Sequence, residues 1–286
     1  MPANKRETLK MPVQLHEIDK GQRTALRRFR SWSRFHRGPR RCPQPLLSKL
    51  SRYPNAVLVA GCQRSGTTML TRIIAQSENF RGLALTEDDE LDSALALCGE
   101  VDLPNRTRYC FQTTYLNERY LEYAMMGPDH RLIWVLRNPR SVVYSMAYNW
   151  RRSALNELYR TCGRTLANNE RLRNIYWPWP WGPSRIEKAC LSYSAKTAQI
   201  RAIKELVAAH QVFVLDYDDL VSTPQEWLPR LFEFIGEPYD PGYAGGMRTS
   251  SLRKAERLSA TASRLVADTA EPVYRNCLAL MPSAGH

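Results

Sequence analysis

Three things are scarce in these 286 residues. No apolar run approaches the roughly 20 residues that a membrane-crossing helix needs. The N-terminus also lacks the apolar core of a secretory leader, so the chain is expected to be cytoplasmic. The seven cysteines, at 42, 62, 98, 110, 162, 190 and 277, are odd in number and form no CxxC pair. That argues against a disulfide framework and a zinc site, and no metal ligand set is expected. Each cysteine is expected as a small buried hydrophobe, with Cys62 the one candidate for exposure. Finally, no lysine occurs between Lys49 and Lys188, which decides how the most informative stretch of the chain is read.

That stretch is residues 56–70, AVLVAGCQRSGTTML. A short apolar run meets Gly61, passes through a tight loop, and reopens at Gly66-Thr67-Thr68 as a helix. Strand, loop and helix in this order point backbone N–H groups and the helix dipole at one spot, where an anion is favoured. The Gly61 to Gly66 spacing is that of a nucleoside-triphosphate loop, but such a loop needs lysine directly after its second glycine. Thr67 stands there instead. The cation is Arg64, inside the loop, so a group shorter than a triphosphate is expected.

Charge is concentrated rather than spread. Residues 1–52 carry fourteen Lys and Arg against three Asp and Glu, a net of +11 out of the chain's +13. The remaining 234 residues are therefore nearly neutral, unlike the folded body of a nucleic-acid-binding protein. Residues 1–52 are expected as a basic extension and 53–286 as one domain. The extension is expected as a solvated tail, with a membrane-surface anchor, an acidic-partner contact or non-specific nucleic-acid binding as its functional readings.

From Tyr53 onward apolar runs alternate with helical patterns. Residues 81–86 suggest a second strand, 131–136 and 211–215 buried strands, and 115–126 a helix. Thr86 is a candidate cap for an acidic helix start at residues 87–90. Thr223-Pro224-Gln225-Glu226 reads as a capping box, and Ile186, Cys190, Tyr193, Thr197, Ile200 and Val207 mark a long helix. Apolar strands separated by helices suggest a parallel sheet covered on both faces, with ligands at the carboxyl ends of its strands.

The second informative stretch is residues 132–146, LIWVLRNPRSVVYSM. A strand ends at Arg137, Asn138 caps, and Pro139 opens a helix that carries Ser141 and Ser145 one turn apart. A triphosphate hydrolase commonly has a magnesium-handling aspartate at such a strand end; here it is arginine. Two cationic strand ends without a metal carboxylate at the second suit a nucleotide bearing both 5′ and 3′ phosphates.

The segments QRSGTT and LRNPRSVVYS resemble the two signature regions of sulfotransferases that use 3′-phosphoadenosine 5′-phosphosulfate (PAPS), releasing 3′-phosphoadenosine 5′-phosphate (PAP). Residues 212–240 look like that family's later strand, loop and helix, and 248–253, RTSSLR, like the loop that closes over the nucleotide. The resemblance implies a three-layer α/β/α fold of the P-loop NTPase type around a central parallel sheet. It also implies sulfuryl transfer to a hydroxyl or amine of a small-molecule, glycan, lipid or peptide acceptor, without a metal. It puts Gln63, Arg64, Ser65, Gly66, Thr67 and Thr68 on the 5′-phosphosulfate. Arg137 and Ser145, eight positions apart, fall on the 3′-phosphate, and Ser250, Ser251 and Arg253 on the closing loop. Arginine at position 64 looks more like the tyrosylprotein, carbohydrate and bacterial branches than the small-molecule branch with lysine. In the carboxylate-using branch the base is a glutamate a little over twenty residues past the loop serine. Glu87 stands there, Glu90 is the next candidate, and helix capping is the competing reading of the acids. No histidine is well placed as a base: the five are at 16, 36, 130, 210 and 286.

Two stretches stay open. Residues 174–184, NIYWPWPWGPS, are an acceptor platform, a lid, or a cover over an apolar edge. Residues 106–117, RTRYCFQTTYLN, lie where acceptor contacts can arise. A nucleotide phosphotransferase with a degenerate loop and a non-catalytic nucleotide- or nucleic-acid-binding module are the alternative functions.

Overall fold

The computed structural model describes residues 44–83, 88–104, 107–247 and 255–282. Five strands, β1 (Val57–Gly61), β2 (Phe80–Arg81), β3 (Arg108–Gln112), β4 (Arg131–Leu136) and β5 (Val212–Asp216), form one sheet. Their order is β2-β3-β1-β4-β5 and every pairing is parallel. In register Val57 lies opposite Cys110 on one side and Arg131 on the other.

Burial on both faces follows from the alternation of side chains along each strand. Leu58 and Ala60 of β1, with Leu132 and Trp134 of β4, enter one core layer. Val57 and Val59, with Ile133 and Val135, enter the other. The first layer is covered by α2 (Asp89–Leu97) and α5 (Arg185–Leu206), the second by α1 (Thr67–Ile74) and α7 (Pro224–Phe234). The architecture is three-layer α/β/α. Helices α3 (Pro139–Tyr148), α4 (Arg152–Thr161) and α5 enclose a third apolar cluster, which α8 (Ala260–Thr269) closes. The chain also contains α6 (Tyr217–Ser222) and α9 (Glu271–Leu278).

Several local expectations shift. Leu46, Leu47 and Leu50, assigned to the basic extension by charge, are buried in the first core layer. The strand expected at 81–86 is only Phe80–Arg81, and residues 84–87 lie outside the described residues. The acidic helix starts later, because Asp88 is the cap and accepts the N–H groups of Glu90 and Leu91. Residues 114–125 are 3₁₀ rather than α, interrupted at Asn117 with φ +31°. The Thr223 box does not form: its hydroxyl donates back to the Asp219 carbonyl instead. A capping box is found at Ser184 and Glu187, opening α5. Cys62 is 1% exposed, and loss of solvent raises its thiol pKa, so it is buried like Cys110, Cys162, Cys190 and Cys277. No described helix is long and apolar enough to cross a membrane.

Candidate active site

The carboxyl ends of β1, β3, β4 and β5 surround a cavity of about 420 Å³. Arg64, Gly66, Thr67 and Thr68 line it from the first loop, and Arg137 and Ser145 from the second. Two segments 73 residues apart are thus brought to one place by the pairing of β1 with β4.

The loop has little freedom. Gly61 abuts β4 so closely that a Cβ there would lie 2.4 Å from the Val135 carbonyl oxygen. Arg64 sits at φ +74°, a left-handed conformation that costs a side-chain-bearing residue about 1–2 kcal/mol. Gly66, at φ +98°, is the cap of α1, and a side chain on it would meet the Tyr217 ring at 2.1 Å. The hydroxyls of Thr67 and Thr68 are tied to Gln112 at the end of β3, at 3.1 and 2.9 Å. The loop is therefore braced on β3, β4 and the start of α6.

Arg64 Nε donates to Ser145 Oγ at 3.0 Å, and Arg137 Nη1 donates to the Arg64 carbonyl at 3.2 Å. The guanidinium of Arg137 stacks over the Tyr217 ring, 4.2 Å from its centroid, and Asp218 Oδ1 lies 3.7 Å from its Nε. Arg137 is 4% exposed and Ser145 1%. Although Arg64 is exposed, the surrounding protein and then the Arg137 charge lower its guanidinium pKa. Like charges held this close disfavour one another. Ser65 Oγ is buried without a hydrogen-bond partner among the described residues.

The opposite wall is acidic, with Asp88, Asp89 and Glu90 lining the same cavity. Asp88 is engaged as the cap of α2, and Asp89 accepts Arg72 Nε at 2.7 Å. Glu90 keeps part of its surface on the cavity, yet its carboxyl is enclosed. Loss of solvent, reinforced by Asp88, pushes it up to about 7 against the pull of Thr114, Lys196 and Gln63. Gln63 points to this acidic side of the cavity and not to the arginines, its Nε2 donating to the Thr114 carbonyl and to Asn117 Oδ1, both at 3.0 Å.

Of the residues singled out in sequence, Ser65 lies behind the wall, its N–H spent on the Cys62 carbonyl at 3.1 Å. Glu87, Ser250, Ser251 and Arg253 lie outside the described residues. His130 is buried at the start of β4, the far end of the sheet. Trp150 and Tyr217, which the sequence does not mark, also line the cavity, as does Gln112 from the stretch 106–117. For Gln112 and Tyr217 the available signal was their position at the carboxyl ends of β3 and β5.

The chain matches the sulfotransferase domain family over residues 54–262. No curated protein matches it by sequence. Among solved structures it is similar to a sulfotransferase from Mycobacterium avium, with 14% identity and a TM-score of 0.47 over 93% of this chain and 86% of that one. A mouse sulfotransferase complexed with PAP shows 14% identity and a TM-score of 0.46 over 83% and 94%. One from Alicyclobacillus acidocaldarius shows 18% identity and 0.43 over 79% and 98%. With a parallel α/β/α sheet and a match that spans well over half its length, this chain belongs to the sulfotransferase family and is a sulfuryl-transfer enzyme.

Proposed function

We propose that the enzyme moves a sulfuryl group from PAPS to a hydroxyl or amine acceptor by in-line displacement. The observation that carries this reading is the linkage of Arg64, Ser145 and Arg137 around a cavity shared with Glu90. The donor set suits a doubly phosphorylated nucleotide. Two mutually repelling guanidiniums gain from an anion beside them.

When bound, PAPS supplies an SO₃ group on a phosphate leaving group, and negative charge grows on the bridging oxygen as that bond breaks. Arg64 meets this charge, with the first N–H groups of α1 at Gly66, Thr67 and Thr68 beside it. Arg137 and Ser145 hold the 3′-phosphate. Glu90 takes the proton from the acceptor, since a carboxyl raised to about 7 suits a base near neutral pH. Glu87 is the second candidate for that role. Ser250, Ser251 and Arg253 close over the nucleotide by resemblance alone. The acceptor is a small molecule, glycan, lipid or peptide.

Calorimetry with PAP in the presence of a chelator tests the donor. Saturable binding without magnesium is expected, and its absence would overturn the proposal. Arg137→Ala should weaken PAP binding by about 2–5 kcal/mol if a desolvated phosphate contact is lost. Unchanged affinity would reject the 3′-phosphate role.

A further inference from the structure

A second surface, remote in sequence from both signature loops, lies on residues 164–185. Nine large hydrophobic side chains are exposed among the described residues, and five of them fall between Leu166 and Trp181. Exposure this concentrated marks a contact surface more often than chance scatter does. Tyr176, Trp177, Trp179 and Trp181 are 80%, 57%, 69% and 64% exposed.

The rings are not exposed because the segment is loose. Gly182 N–H donates to the Pro178 carbonyl at 3.0 Å, and Trp177 N–H to the Asn174 carbonyl at 3.3 Å. Arg171 Nη1 reaches the Gly182 carbonyl at 3.1 Å, and the Lys188 ammonium reaches the Ile175 carbonyl at 2.8 Å. Gly182 is packed so tightly that a Cβ would stand 2.2 Å from the Trp177 carbonyl oxygen. The aromatic tip is preorganised, so little ordering entropy is lost when it makes contact.

The surrounding charge is one-sided. Between residues 164 and 185 there are four arginines and one acid, Glu170. Arg171 is paired with Glu187. Arg164 and Arg173 have no carboxylate partner among the described residues, and with Tyr176 and Trp177 they line a second pocket of about 210 Å³. Indole and phenol rings favour the boundary between headgroups and acyl chains, where one end is apolar and the other wet. Guanidiniums with no protein counter-charge favour phosphate. A neutral glycan suits the rings but leaves the two cations without a counter-ion.

We propose that this face docks the enzyme on an anionic phospholipid membrane, with the four rings in the headgroup boundary and Arg164 and Arg173 seating a lipid phosphate. The docking face is tied to the active site, because Arg185 donates to the Trp150 carbonyl at 2.9 Å and Trp150 lines the catalytic cavity.

The test is flotation of the full chain with vesicles of phosphatidylcholine alone or with phosphatidylserine, together with quenching of tryptophan emission by brominated acyl chains. The basic extension stays in place throughout, so its own attraction to anionic lipid is constant. Wild type should float with the anionic vesicles and be quenched. Trp177→Ala, Trp179→Ala and Trp181→Ala together should lower vesicle affinity by about tenfold or more and remove most quenching. Arg164→Gln with Arg173→Gln should cost about fivefold per arginine on anionic vesicles only. Both variants should keep wild-type circular dichroism and PAP affinity. Flotation of both variants like wild type would assign binding to the extension and overturn the proposal. So would absence of wild-type binding, unquenched emission, or displacement of the vesicles by a neutral oligosaccharide.

Discussion

Glycine in place of Arg64 should lower kcat by about 10²–10³-fold, the usual cost of losing one donor to developing charge, while the protein stays folded. Arg64 holds φ +74°, and glycine adopts this conformation without penalty, so the substitution relieves about 1–2 kcal/mol of backbone strain. The arginine's Nε is engaged by Ser145, which leaves its terminal nitrogens for the departing oxygen. Single-turnover kinetics with the native donor and an acceptor found by screening measures the rate, and thermal denaturation measures the fold. Lysine should recover part of the rate, because it restores charge but not the forked geometry. An Arg64→Gly enzyme with wild-type kcat would remove this residue from the chemistry.

Glu90→Gln should have two opposite effects. Turnover should fall by about 10²–10⁴-fold, as expected for loss of a general base, and the rise in wild-type kcat/KM with a midpoint near pH 7 should disappear. Stability should increase at alkaline pH. The folded carboxyl sits at about 7 against 4.5 for the ordinary group, so the native state binds this proton more tightly than the unfolded chain. The stabilisation it brings is complete below 4.5 and is lost as pH rises towards 7. Glutamine mimics the protonated form, so the variant should exceed wild type by about 1–3 kcal/mol at pH 8 and by much less at pH 4.5. Urea denaturation at the two pH values reads the difference. A gap independent of pH would mean that Glu90 is not the buried acid described, and undiminished turnover would pass the role of base to Glu87.

The two strand-to-loop-to-helix junctions were legible in sequence because their signals are local. An apolar run, a glycine and a helix start sit within a dozen residues at Gly61 to Thr67, and Asn138-Pro139 announces the helix that carries Ser145. Gln112 and Tyr217 were not legible, because their roles depend on the order β2-β3-β1-β4-β5, which places the ends of separate strands around one cavity. Chain order alone does not specify that. The acids at 87–90 were seen, but their division of labour was not. Asp88 caps and Asp89 pairs with Arg72, while Glu90 is the one of the three whose enclosed carboxyl is raised to about 7. The tryptophans were open to reading as a cover, and it is their exposure that separates them from core.

Under the proposed assignment, the bond from Arg137 to the carbonyl of Arg64 joins the residue at one end of the donor to the residue at the other. A phosphate held by Arg137 would then also steady the backbone from which Arg64 projects, which would couple donor binding to the chemistry. On this reading a donor without the distal phosphate fails in turnover as well as in affinity, and selectivity is exercised after the nucleotide has already been admitted.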